Sequence, residues 1–346
     1  MIKVDEIFNQ AVEMRASDVH LVVNHSPVFR IDGDLQEIKK WPALDNQNIG
    51  KIVENIFSQE QKKEFEKTLG VDFSYNLKNG VRIRASVYRE KGNYSLAGRI
   101  ILPKIPTMEE VMMPEAAYDF ARSHNGLILV TGPAGSGKST SLAAMIDLIN
   151  KERACHIITL EDPIEYIFQA NKSIIAQREL GRDMKSFAGG MKRIVRQDPN
   201  VIMVGEMRDL ETIASAATLA ETGHLVLSTL HTPDAVQTIS RIIDVFPANQ
   251  QTQIKVQLSV SLKGVIAQKL LPKKDGGLIA VREVLVNTPA VAHLIRENKI
   301  AQIKTHIQTG AEDKMFTMDQ AIKKLYKEKS ITKETAEKHM INREDL

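Results

Sequence analysis

A single cysteine, Cys155, is all that 346 residues carry. One thiol excludes an intramolecular disulfide framework and a cysteine-rich zinc site, and it fits a reducing compartment. Cys155 itself reads as a small buried hydrophobe. Long apolar runs are missing too. None approaches the roughly 18 residues that span a bilayer, and Met1-Ile-Lys-Val-Asp-Glu6 is no signal peptide. No direct membrane insertion is therefore expected, and the chain reads as cytoplasmic. Charge of one sign is scarce as well. A formal net charge of +3 is too small for this size to imply nucleic-acid binding by itself. No internal repeat or low-complexity segment is visible. What remains, 43% hydrophobic and 26% charged residues, is the balance of a globular protein of about two domains with a sizeable core.

Residues 1–102 read as an α+β domain. Ile7, Phe8, Ala11 and Val12 form a short helix face, and His20–Val23 and Val28–Ile31 read as strands, followed by the turn Asp32-Gly33-Asp34. Ile49, Ile52, Val53, Ile56 and Phe57 recur at helical spacing, and Ser58 with Gln61 resembles a capping box. Val81–Val87 and Tyr94–Ile101 read as two more strands. The period of two places Arg82 and Arg84 on one face, either solvated or aimed at an anion. The prolines in Leu102–Pro106 mark a linker, placed over 103–110.

From there to residue 284 strands alternate with helices, which predicts an α/β domain with a parallel sheet covered on both faces. Strands are expected over Leu127–Val130, His156–Leu160, Val201–Val204 and His224–Leu230. Each ends in polar or charged residues, and ligands of such sheets sit beyond the carboxyl ends of the strands. Residues 285–346 read as helical, with one face of Ala290, Val291, Leu294 and Ile295 and another of Ala321, Ile322 and Leu325. The lysine-rich tail, interleaved with glutamates, reads as a solvated face.

The most informative stretch follows the first of those strands: Gly132-Pro133-Ala134-Gly135-Ser136-Gly137-Lys138-Ser139-Thr140. Its glycines permit backbone angles closed to other residues, so successive N–H groups can turn inward around phosphates. Lys138 supplies charge to the β and γ oxygens, and the Ser139 hydroxyl supplies a ligand to Mg²⁺. A helix from about Thr140 to Ile149 would point its positive end at the same anion. The second strand delivers Glu161 and Asp162, and the third delivers Glu206. An acid there suits a nucleotide site, binding the Mg²⁺ shell or orienting water; pairing with Arg208 is an equal alternative. His224 and His231 fall at opposite ends of the fourth strand. No third His or Cys stands at ligand spacing, which counts against zinc.

In order, Gly132–Thr140, Thr159–Glu165, Asp198–Asp209 and Ala220–Thr232 resemble the Walker A, Asp box, Walker B and His box of the secretion ATPase superfamily, and within it the type IV pilus retraction ATPases. The resemblance extends over nearly the whole chain, through Ala16–Leu21, Asp244–Pro247, Leu262–Leu271, Ala290–Glu297 and Ile303–Gly310. It implies a RecA-like P-loop ATPase core with an N-terminal α+β PAS-like domain and a helical C-terminal region. It further implies ATP and Mg²⁺ as ligands and a homohexameric ring. Such a ring works at the inner face of the cell membrane through a platform protein of the pilus and acts on the pilin machinery indirectly, with no nucleic acid involved. By the same resemblance Glu206 and Glu161 serve catalysis, Ser139 and Glu161 serve Mg²⁺, and His231 and His224 contact the γ-phosphate. Arg82, Arg84 and Arg99 would complete the site. An arginine and an asparagine usual in the family's C-terminal helix motif are replaced here by Ala292 and His293. Besides a DNA or RNA translocase, which rests only on the mild basic balance, two other readings stay open. One is an accessory ring subunit with little hydrolysis of its own. The other is an assembly or type II secretion motor, against which the single cysteine speaks, because those proteins usually carry a four-cysteine zinc module.

Overall fold

A computed structural model describes residues 3–31, 33–101 and 105–343, in two compact units, 1–104 and 105–346. The first unit is α+β. Helix α1 (Val4–Glu13) buries Val4, Ile7, Phe8 and Ala11. After it come β1 (Asp18–Leu21), β2 (Val28–Ile31), β3 (Asp34–Glu37), α2 (Asn46–Ile56), α3 (Gln59–Thr68), β4 (Gly70–Asn76), β5 (Arg82–Glu90) and β6 (Asn93–Ile101). The strands form one antiparallel sheet in the order β3-β2-β1-β6-β5-β4. Ser58 caps α3 through the expected reciprocal pair, with Gln61 N–H donating to Ser58 Oγ at 3.2 Å and Ser58 N–H to Gln61 Oε1 at 2.8 Å.

Two strands of this unit have no counterpart among the expected ones. β3 is exposed at every position, so it carries no apolar alternation to read. β4 does alternate, with Val71, Phe73 and Tyr75 at every second place, and is a missed signal. β1 starts earlier than expected and stops at Leu21. Of the expected turn, Gly33 has φ +96°, Asp34 opens β3, and Asp32 lies outside the described residues.

Leu102, Pro103 and Lys104 of the expected linker also lie outside the described residues. The rest of that segment packs on the second unit: Met108 is 2% exposed and belongs to its core. The second unit then runs α4 (Glu115–Arg122), β7 (Gly126–Thr131), α5 (Lys138–Glu152), β8 (His156–Glu161), β9 (Ile174–Glu179), α6 (Phe187–Ile194), β10 (Val201–Val204), α7 (Leu210–Glu221), β11 (Leu225–Leu230), α8 (Ala235–Asp244) and α9 (Ala248–Ser261). It continues through β12 (Leu262–Pro272), β13 (Leu278–Val286), α10 (Pro289–Arg296), α11 (Ile303–Thr309), α12 (Met318–Lys327) and α13 (Lys333–His339).

The seven strands are ordered β13-β12-β7-β11-β10-β8-β9, all parallel except the β12–β13 pair. β7 shows why the sheet must be covered twice. Its residues are all buried, Leu127 and Leu129 in one apolar cluster with α7 and α9, Ile128 and Val130 in another with α4 and α5. A strand buried on both faces reads as a continuous apolar run, as this one does. The four expected parallel strands are all present. β9, β12 and β13 were not anticipated, and the expected boundary at 284/285 falls inside β13. Beyond it, α10 buries Val291, Leu294 and Ile295 and leaves His293 exposed. Cys155 is half-buried rather than fully buried, packed against the apolar cluster of α4 and α5 with its Sγ 3.2 Å from Ser173 Oγ.

Candidate nucleotide-binding site

Because β7, β11, β10 and β8 run parallel, their carboxyl ends share one edge of the sheet. The loop 132–137 leaves β7 there and enters α5, whose first residue is Lys138. Gly132, Gly135 and Gly137 have φ of +144°, +74° and +82°. At Gly132 the reason is proximity: a Cβ would stand 2.2 Å from the Gln268 carbonyl oxygen of β12 and 2.7 Å from Ser136 Oγ. The loop is thus pressed against the neighbouring strand from behind, while Pro133, Ala134, Gly135 and Ser139 face solvent.

Lys138 is buried, and its Nζ donates to the carbonyls of Gly132 at 2.9 Å and Pro133 at 3.0 Å. Burial pushes the ammonium pKa down, while Glu206 and Glu165 pull it back up. Ser136 Oγ is buried without a hydrogen-bond partner, a polar group with no other satisfied role in the loop. Thr140 Oγ1 lies 2.9 Å from the Tyr166 hydroxyl. A loop with three positive-φ glycines, a lysine at the helix start and a spare hydroxyl together fit a polyphosphate.

Glu161 ends β8 almost completely enclosed. Thr159 Oγ1 donates to its Oε1 at 2.6 Å, and Gln177 Nε2, from β9, at 3.1 Å. Burial raises its pKa above the usual carboxylate value, against those two donors. At the end of β10, Gly205 N–H donates to Leu160 O at 2.7 Å and Gly205 O accepts from Thr229 Oγ1 at 2.6 Å. That ties β10 to both neighbours where it delivers Glu206. Glu206 is held on each side, Oε1 2.7 Å from Arg208 Nη2 and Oε2 3.5 Å from His231 Nε2. Glu206 thus makes the pair with Arg208 that the sequence left as an alternative, and it also faces His231 at the end of β11.

The structure brings Lys138, Glu161, Glu206 and His231 to one sheet edge, and it does not bring His224. That residue precedes β11, with Nδ1 3.1 Å from Leu219 O. With all of the six-residue strand β11 between them, the two histidines are about 23 Å apart at ~3.3 Å per residue. Arg82, Arg84 and Arg99 belong to the first unit. Arg84 and Arg99 are cross-strand partners in β5 and β6, and with Asp18, Asp72 and Ser86 they line a hollow of about 380 Å³. Arg99 Nε reaches Asp18 Oδ1 at 2.9 Å, and buried Arg82 donates from Nη2 to Ser74 Oγ at 2.8 Å. Among the described residues no group of three or more His, Cys, Asp or Glu could hold a metal ion. Ser139 and Glu161 are oxygen donors of the kind that Mg²⁺ takes.

Sequence reasoning did not single out Gln268, whose Nε2 donates to Ser136 O at 2.6 Å, nor Gln177 and Tyr166. For Gln268 a signal existed: it is the one uncharged polar residue in the run from Val265 to Leu271. A buried amide inside an apolar strand needs a partner.

The comparisons with known proteins point one way. Residues 1–341 match the family described as Type II/IV secretion system protein. The type IV pilus retraction ATPase PilT of Pseudomonas aeruginosa is 42% identical over 333 residues, 96% of each chain. A twitching motility protein of Neisseria gonorrhoeae is 44% identical over 93% of this chain and 86% of its own. Among solved structures, the pilus retraction motor PilT with bound ADP superimposes with a TM-score of 0.93 at 44% identity, covering 100% of this chain and 99% of that one.

Proposed function

We propose, since the chain belongs to the type II/IV secretion system protein family, that it hydrolyses ATP and that this turnover drives retraction of a type IV pilus. The observation that carries the reading is the convergence of Lys138, Glu161, Glu206 and His231 on one edge of the parallel sheet, next to a loop with three positive-φ glycines. Relatives named for pilus retraction and twitching, similar along nearly their whole length, support the choice of process.

In this reading Lys138 and the loop N–H groups that are not spent inside the protein, Gly137 among them, bind the β- and γ-phosphates of ATP. Ser139, and Glu161 through water, would hold Mg²⁺, which when bound neutralises charge on the transferring phosphoryl group. Glu206 takes a proton from water as the water oxygen bonds to the γ-phosphorus and the bond to ADP breaks. Arg208 occupies one side of the carboxylate at 2.7 Å and His231 flanks the other at 3.5 Å. His231 is then available to contact the γ-phosphate. His224, about 23 Å away along β11, takes no part in this step in its own chain. Arg82, Arg84 and Arg99 would supply charge to the phosphates in the assembled protein, a homohexameric ring docked on an inner-membrane platform protein.

Steady-state ATPase assays with Mg²⁺ test the chemistry. Turnover is expected, lost in Lys138→Ala, with ATP retained but unhydrolysed in Glu206→Gln. A folded wild-type protein without turnover would leave the accessory-subunit reading in its place. Deleting the gene tests the process: pili should accumulate, and bald cells would refute retraction.

A further inference from the structure

Gln268 sits in β12 at 1% exposure, directly opposite Arg282 of β13 in the antiparallel ladder. Its amide carries four hydrogen-bonding sites, and the surroundings divide them. Oε1 accepts from Ser141 Oγ at 2.8 Å and from Arg282 Nε at 3.3 Å, while Nε2 donates to Ser136 O at 2.6 Å. Arg282 closes the triangle by donating from Nη2 to Ser141 Oγ at 3.2 Å, and its Nη1 donates to Met112 O at 3.0 Å.

Arg282 is itself unusual. It is 5% exposed, and burial alone lowers its pKa to about 10. A buried cation facing only neutral acceptors costs stability relative to an apolar residue. Its distinguishing chemistry is that guanidinium has donors and no acceptor. A glutamine amide can turn over and exchange its oxygen for its NH₂, but not against a neighbour that only donates. With Arg282 on one side, the oxygen must face Arg282 and Ser141, and the NH₂ must face the loop.

That orientation reaches the phosphate side of the loop. In a planar trans peptide the carbonyl of residue 136 and the N–H of residue 137 point in opposite directions. Holding Ser136 O toward β12 therefore turns the Gly137 N–H toward the open side, at the very start of α5. We propose that Arg282 is a positioning residue for nucleotide binding: it fixes the Gln268 amide, which fixes the 136–137 peptide so that the Gly137 N–H faces a phosphate. The inference rests on the nucleotide-binding reading of the loop.

Two substitutions separate positioning from scaffolding, measured by thermal melting and by titration with ADP. Gln268→Glu keeps the shape and gives Arg282 a carboxylate, so the melting temperature should hold or rise. It also sets a carboxylate oxygen against Ser136 O, so ADP affinity should fall at least about tenfold, the loss of one hydrogen bond to a charged group. Arg282→Met should weaken ADP binding several-fold, and Arg282→Lys, which keeps a donor, should recover most of it. Wild-type affinity in folded Gln268→Glu or folded Arg282→Met overturns the proposal. So does failure of both to fold, because the pair would then serve the scaffold alone. Wild-type protein that binds no ADP would instead refute the nucleotide-binding reading.

Discussion

Replacing Gly132 by alanine isolates how the loop is built, and Gly135→Ala is its control. Both positions have positive φ, +144° and +74°, so both substitutions introduce backbone strain, about 1–3 kcal/mol at the more extreme Gly132 and about 1–2 kcal/mol at Gly135. They differ in what the new methyl meets. At Gly135 nothing lies within 4 Å, whereas at Gly132 the methyl would stand 2.2 Å from Gln268 O. An ordinary C···O contact is longer by about 1 Å, so the loop and β12 must separate by that much, with overpacking typically costing about 1–3 kcal/mol. The total for Gly132→Ala is about 2–6 kcal/mol. In a unit of this size each kcal/mol shifts the midpoint by about 2–4 °C, which gives a fall of about 4–24 °C against about 2–8 °C for Gly135→Ala. Thermal melts of the ligand-free proteins read the difference directly. Adding ADP at about 100 times its Kd stabilises a binding-competent protein by about 2.7 kcal/mol, and Gly132→Ala should lose that shift. Equal midpoints for the two variants would refute the claim that the loop is pressed against β12.

Lys138→Met should abolish ADP-induced stabilisation without lowering the ligand-free midpoint, since burial disfavours the ammonium it removes; a lower midpoint would show the lysine to be a structural strut. Glu206→Gln should reduce kcat by about 10²–10⁴ with nucleotide affinity retained, checked by single-turnover kinetics beside equilibrium titration. Glu161 has a raised folded pKa, so its contribution to stability is complete below the unfolded carboxylate value and is lost as pH rises through the folded one. Wild-type stability should accordingly fall with rising pH more steeply than that of Glu161→Gln above pH ~4.5, and parallel melting curves of the two across that range would contradict it.

The parts of this site legible in the sequence share a property. Gly132–Thr140, Glu161 and Glu206 stand at the ends of short apolar runs, and in a parallel sheet the end of a run is also a place. His231 follows by the same logic, and the same ruler removes His224: one strand cannot put both of its ends in one site. What the sequence hides is contact between distant segments. Gln268 touches a loop 132 residues earlier, and no local period encodes that. Arg282 hides better still, as a charged residue in an apolar strand whose partner is the next strand's amide. β3 was unreadable for another reason. An edge strand exposed throughout carries no burial pattern, and only its ladder to β2 defines it. Half-buried Ala292 and exposed His293 on α10 are readable as a change outside the buried face of Val291, Leu294 and Ile295.

The parallel pairing of β7 with β12 also orders events during synthesis. A chain that has emerged from the ribosome only through α9 holds β7 as the open edge of its sheet, six buried residues with one ladder unfilled. Such an edge is a template for foreign strands. The loop that follows β7 has no back wall until residue 268 arrives. Until the β12–β13 hairpin is complete, an intermediate of this chain exposes both the unfilled β7 ladder and a loop without its contact to Gln268, the kind of surface on which aggregation starts.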